Sequence, residues 1–187
     1  QTVLSARRAA GGAAAAVLLL LTLAGAALPW LGPPASAGAA GATDVRAVMA
    51  GEMPGLAVTV RGNGNFMGLA LTLEFTNEGG AAVAVAVPVG LQFVPENEAV
   101  QTMIAAGRET LTVPVTERGA VFSADIAAFC GQYHDDIPTA QDIFTAGEPV
   151  GGDEAALITL ISQEGVFGRD QQEAVWNLTD GIDISGN

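Results

Sequence analysis

The only cysteine and the only histidine stand four positions apart, at Cys130 and His134. A thiol beside an imidazole is the pairing used in nucleophilic acyl transfer, because the imidazole removes the proton that masks the sulfur. Cys130 follows Ala127-Ala128-Phe129 at the end of an apolar run. There a lone cysteine reads first as a small buried hydrophobe. Carboxylates crowd the residues that follow. Asp135 and Asp136 are the best seed for a Ca²⁺ site with His134 and Asp142, and Glu148, Asp153 and Glu154 are a second group. Calcium takes a full shell of oxygen ligands, which an EF-hand supplies from alternate positions around a central Gly. These acids lack that spacing, so a solvated loop without metal is the expectation. No Gly-x-Ser-x-Gly elbow serves serine chemistry, and nothing selects a glycosidase pair from the 20 acids. Asn177-Leu178-Thr179 matches the glycosylation sequon, a short and frequent pattern. The residues predict no catalytic centre and no cofactor.

One pairing has a different logic. Phe129-Cys130, then Gln172-Glu173-Ala174-Val175-Trp176 with Thr179-Asp180, resembles the thioester domains of bacterial surface proteins. Those domains carry an aromatic-Cys motif and a later Thr-Gln-x-Ala-Ile/Val-Trp motif. The resemblance implies that Cys130 supplies the thiol and Gln172 the acyl group of an internal thioester. Such a bond is a masked electrophile that traps an amine on a host surface. Gln171 stands where the family has Thr.

The elements that must position these residues are mostly strands. Leu69, Leu71, Leu73 and Phe75 alternate with Ala70, Thr72, Glu74 and Thr76, which predicts one buried and one solvated face. Further strands are expected over 56–60, 81–87, 91–94, 101–105, 109–115 and 120–126. Gly62-Asn63-Gly64-Asn65 and Asn77-Glu78-Gly79-Gly80 supply turns. Short strands at this spacing predict a mainly β body, a β-sandwich, which the resemblance that follows makes Ig-like. Phe75-Thr76-Asn77, Pro88-Val89-Gly90-Leu91-Gln92-Phe93 and Gln101-Thr102-Met103 also resemble Ig-like modules of exported bacterial proteins. Such modules are scaffolding or binding elements. Residues 131–149 read as a long loop. Two short C-terminal helices are expected over 153–163 and 170–178, the second with Asp170 as N-cap and Glu173 completing a capping box. Trp176 is expected to fold back and bury its ring, because the body has no other tryptophan and is rich in Ala.

Charge completes the reading. The 187 residues carry 20 acids, no Lys and seven Arg, for a net charge of −13. That balance argues against nucleic acid as a partner. Arg7 and Arg8 are followed by no charge until Asp44, and 9–31 is an uncharged, largely apolar stretch. It is long enough to cross a hydrocarbon core of about 30 Å. Residues 1–31 therefore read as a transmembrane helix or a signal segment, with Ala35-Ser36-Ala37 as a small-x-small cleavage site. Positive-inside topology puts the acidic body in the periplasm or outside the cell. Residues 32–54 read as a Gly/Pro/Ala-rich linker and 55–187 as the body. The leading expectation is a non-catalytic, single-pass inner-membrane protein. Its helix and acidic body would contact other subunits of a membrane complex, of the respiratory or photosynthetic reaction centre–antenna type. A thioester-bearing adhesion module and a secreted Ca²⁺-dependent binding module are the alternatives.

Overall fold

Alternating apolar residues build the central wall of the protein, whose computed structural model describes residues 41–182. Along the chain lie β1 (Thr43–Asp44), α1 (Val45–Met49), β2 (Leu56–Gly62), β3 (Leu69–Asn77), β4 (Val83–Val87) and β5 (Leu91–Pro95). Then come β6 (Met103–Ala105), β7 (Glu109–Val113), β8 (Phe122–Cys130), β9 (Ile143–Pro149), α2 (Gly152–Glu164) and α3 (Arg169–Asp180). β2 and β3 form an antiparallel hairpin, from Leu56 opposite Asn77 to Gly62 opposite Leu71. β8 pairs with β3, setting Phe122 opposite Phe75. Leu71, Leu73 and Phe75 are fully buried. The β3–β8 pairing slips between Leu69 and Leu71. That irregularity reverses side-chain parity, so Leu69 is 57% exposed and Ala70 is buried. The alternation expected from Leu69 thus begins at Leu71.

The chain is mainly β with two C-terminal helices, but the expected sandwich is replaced by a closed barrel. Its strand order is β2-β3-β8-β6-β5-β9, and β1-β4-β7 forms a separate three-stranded sheet. The cause lies in residues 131–149, expected to be loop throughout. Their last part is β9, which pairs with β5 and with β2 and so joins the two ends of the sheet. Phe144 lies opposite Val60 on one side and Pro95 on the other. Ile-Phe-Thr-Ala-Gly-Glu-Pro contains four residue types that are depleted in strands, Ala, Gly, Glu and Pro, so its own preference does not announce β9. Long-range pairing overrides it.

One core cluster runs through the barrel, including Val60, Leu73, Phe75, Phe93 and Met103. Val85, Val87 and Val113 of the second sheet belong to it, as do Val45 and Val48 of α1. Residues 43–49, within the stretch expected to be linker, therefore pack into the body. Buried Asn77 ties the two sheets together. Its Nδ2 donates to Val113 O at 3.3 Å and to Ala81 O at 3.0 Å, and its N–H donates to Thr116 Oγ1 at 2.9 Å.

β8 is buried on both faces over Ile126, Ala127, Ala128, Phe129 and Cys130, which is why that segment is continuously apolar. A second cluster joins Ile104 and Phe129 to Ile158 and Ile161 of α2 and Val175 of α3. α2 ends at Gly165 in the left-handed region, with φ 68°, a conformation that Gly adopts without strain. α3 begins earlier than its sequence suggests. Its N-cap is Gly168, not Asp170, and Gln171 Oε1 accepts from Gly168 N at 3.2 Å. Asp170 instead lies in the first turn, where a carboxylate complements the helix dipole. Glu173 is drawn to Arg169 at 2.9 Å rather than to a capping box.

The segment 1–31 lies outside the described residues, as does 32–40 of the expected linker. Among the described residues no helix is long and apolar enough to cross a membrane.

Candidate functional site

Cys130 ends β8 opposite Met103 of β6. Strand alternation sends Phe129 to the helix side and Cys130 into the barrel core. There the thiol lies 3.5 Å from Met103 Sδ. The thiol is fully shielded from solvent. Burial pushes its pKa up to about 12, so the sulfur stays protonated at neutral pH. His134 is exposed, with the Tyr133 ring edge-on to it at 5.2 Å. The structure thus does not assemble Cys130 and His134 into a nucleophile–base pair.

It does bring Cys130 and Gln172 together. They are 42 residues apart in sequence, yet Gln172 Nε2 donates to Cys130 O at 2.8 Å and Gln172 Oε1 accepts from Cys130 N at 2.9 Å. The Cys130 N–H is shared with Phe66 O at 3.1 Å. Gln172 is fully buried. A buried carboxamide costs free energy unless both its ends are bonded, and here the strand end supplies both partners. The carboxamide clamps α3 to the end of β8 through the main chain of Cys130, while the thiol itself lies in the barrel core beside Met103.

Trp176 lies one helical turn beyond Gln172, on the same face of α3. It is 9% exposed and stacks on Phe66, with ring centroids 5.9 Å apart and an interplanar angle of 11°. Tyr133 meets it edge-on at 5.0 Å. Tyr133 N also donates to the Asp180 carboxylate near the end of α3. The helix is therefore pinned to the β8 end and its following loop at two points, Gln172 and Asp180.

Among the described residues no three His, Cys, Asp or Glu side chains are placed to hold one ion. Asp135, Asp136, Glu148 and Asp153 are exposed. The Thr139 hydroxyl and N–H, each 2.7 Å away, hold the Asp142 carboxyl below its ordinary range. Burial pushes the Glu154 carboxyl upward. Asn177 Nδ2 donates to Ile182 O at 2.6 Å.

Met103 and Asp180 stood in the resemblances without a role at this site, and they and Phe66 are brought to it only by tertiary packing. Gln101 left a signal, being a polar residue set between apolar Val100 and the run Met103-Ile104-Ala105-Ala106. It is buried, and its Nε2 donates to Asp135 O at 3.0 Å. No protein-family model, curated protein or solved structure matches this chain. The two resemblances drawn from the sequence therefore rest on their own residues.

Proposed function

We propose that this chain is an exported module that holds an internal thioester between Cys130 and Gln172 and uses it once to acylate an amine on a surface. The observation that carries the reading is the reciprocal pair of hydrogen bonds between the buried Gln172 carboxamide and the main chain of Cys130. Bond formation balances as follows. Cys130 Sγ adds to Gln172 Cδ, the Cδ–Nε2 bond breaks, and ammonia leaves with the thiol proton. An incoming primary amine then attacks Cδ, giving an amide and returning Cys130 to a thiol. Burial suits the stored bond, because it excludes the water that would hydrolyse it, and the incoming amine gains access to Cδ only when α3 shifts from the end of β8. Arg7 and Arg8 ahead of the apolar stretch support delivery of the acidic body across a membrane. The reading as an anchored subunit of a membrane complex draws on residues 1–31, and no feature of the described body adds to it.

Intact-mass spectrometry tests the proposal. The native chain is expected to be lighter by one ammonia than its Cys130→Ala control predicts, once the substitution is allowed for. Methylamine should add its own mass and release an alkylatable thiol. An unshifted mass, with Cys130 alkylated as soon as the chain is denatured, would overturn it and leave Gln172 as a structural clamp.

A further inference from the structure

β9 closes the barrel before either C-terminal helix begins, so α2 and α3 take no part in strand pairing. α3 can therefore leave the barrel without breaking a strand contact. Phe167, just ahead of it, is anchored, since it packs against the second core cluster and faces Phe129 with ring centroids 6.3 Å apart. Gly168 follows as the N-cap of α3, with extended backbone and no side chain. A fixed residue, then a glycine, then a rigid helix make a pivot.

Little holds α3 down beyond that pivot. Gln172, Val175 and Trp176 are its buried residues. Trp176 Nε1 is buried without a hydrogen-bond partner. Opening returns that donor to water, which offsets part of the apolar burial lost. At the free end, exposed Asp180 accepts from Tyr133 N. A carboxylate in the last turn is opposed by the helix dipole, and α3 carries no basic residue there. Asp180 thus weakens the helix while fastening its end to the loop after β8.

We propose that α3 is a latch over the Cys130–Gln172 bond, turning at Gly168 and fastened at Asp180, and that its opening sets the rate of amine capture. The proposal rests on the thioester reading and adds its regulation. Gln172 lies one turn from the pivot and moves least, so a covalent bond there survives as the far end lifts. Trp176, one turn further on the same face, comes away with that end and uncovers Cδ. The stored acyl group is shielded in the closed state and open to an amine only in the minor one.

Hydrogen exchange of the full chain carrying Cys130→Ala reads the latch alone, because no thioester forms in it. Amides 173–180 are expected to exchange by a local opening that low denaturant hardly promotes, while those of β3 exchange only through unfolding. Asp180→Ala in the same background should speed exchange of 173–180 about threefold to tenfold, the net worth of one hydrogen bond, and leave β3 unchanged. A role in the helix alone predicts the reverse, since the substitution relieves the dipole and slows exchange. Slowed or unaltered exchange of α3, or equal acceleration of β3, would overturn the latch. The chain with Cys130 intact then reads the gating. Methylamine uptake, followed by mass, should quicken in Asp180→Ala by the same factor as exchange. Uptake at an unaltered rate would overturn the gating. No uptake at all, with the exchange pattern as expected, would overturn the thioester reading and the gating with it, and leave α3 as a helix that opens on its own.

Discussion

The wall made by β2, β3 and β8 and the end made by residues 131–142, β9 and α3 are held by different means. In the wall, β2 and β3 pair residue by residue, β3 and β8 do so from Leu71 to Phe75, and along β3 from Leu71 alternate residues face the barrel core. Its stability comes from apolar burial repeated along each strand. The other end is held by single contacts between segments distant in sequence. Gln172 reaches Cys130, Asp180 reaches Tyr133, and Trp176 stacks on Phe66. Gly62 shows how close the loop comes to the wall. A Cβ there would lie 2.6 Å from Pro138 Cβ and 2.7 Å from Thr139 O. The wall thus follows from a pattern, while the site end depends on a few particular residues.

The largest expected effect separates the two regions by their energetics. Phe75 is fully buried in the wall, and Phe75→Ala should cost about 3–5 kcal/mol. That is a large share of the roughly 5–15 kcal/mol that holds a domain together. Trp176→Ala should cost less, about 2–3 kcal/mol, although its ring is larger. Its indole N–H is unpartnered, so truncation also removes an uncompensated buried donor. Chemical denaturation of both variants measures the order. A Trp176→Ala loss equal to or above that of Phe75→Ala would make the site end as essential to folding as the wall.

That asymmetry also explains what could be read in the sequence. The period-two run through Leu71, Leu73 and Phe75 is local, so strand and core face were legible together. The exposure of Leu69 was not, because a slip in pairing depends on the partner strand. β9 was hidden because Gly147, Glu148 and Pro149 disfavour strands and only two neighbouring strands make it one. Missing β9 turned a barrel into an expected sandwich. The N-cap at Gly168 was missed because Asp170 and Glu173 have capping-box spacing but are used in the dipole and in the Arg169 pair. Of the site, Cys130 and Gln172 were marked by motif resemblance alone. Their hydrogen-bonded contact follows from the packing of α3 against β8, which no spacing encodes.

An intermediate effect concerns the free thiol form. Burial raises the Cys130 pKa from 9.0 to about 12. In the unfolded chain the thiol ionises first, so above its ordinary pKa the unfolded state binds fewer protons than the folded state. Stability from this group is complete below about pH 9 and is lost progressively as pH rises toward about 12. Denaturation midpoints of the reduced, amine-opened chain should fall more steeply over that window than those of Cys130→Ala. Parallel pH curves for the two would show that the sulfur reaches water in the folded protein.

The smallest effect compares ion pairs on the two regions. Arg61 and Glu74 meet at 3.1 Å on the outer face of the wall, with side chains 33% and 38% exposed. Arg169 and Glu173 meet at 2.9 Å, one turn apart on α3, with side chains 73% and 31% exposed. Solvent screens both, and ordering long side chains offsets much of the Coulomb gain. Double-mutant cycles to Ala should give about 0.2–1 kcal/mol for Arg61–Glu74 and about 0.3–0.5 kcal/mol for Arg169–Glu173. Both couplings should shrink in high salt. The wall pair sits on strands already fixed by seven residue pairings between β2 and β3, so less side-chain and backbone freedom remains to be lost there. It should therefore have the larger coupling. A larger coupling for Arg169–Glu173 would mean that the start of α3 is ordered by that ion pair, and that the helix carrying Gln172 depends on it for its position.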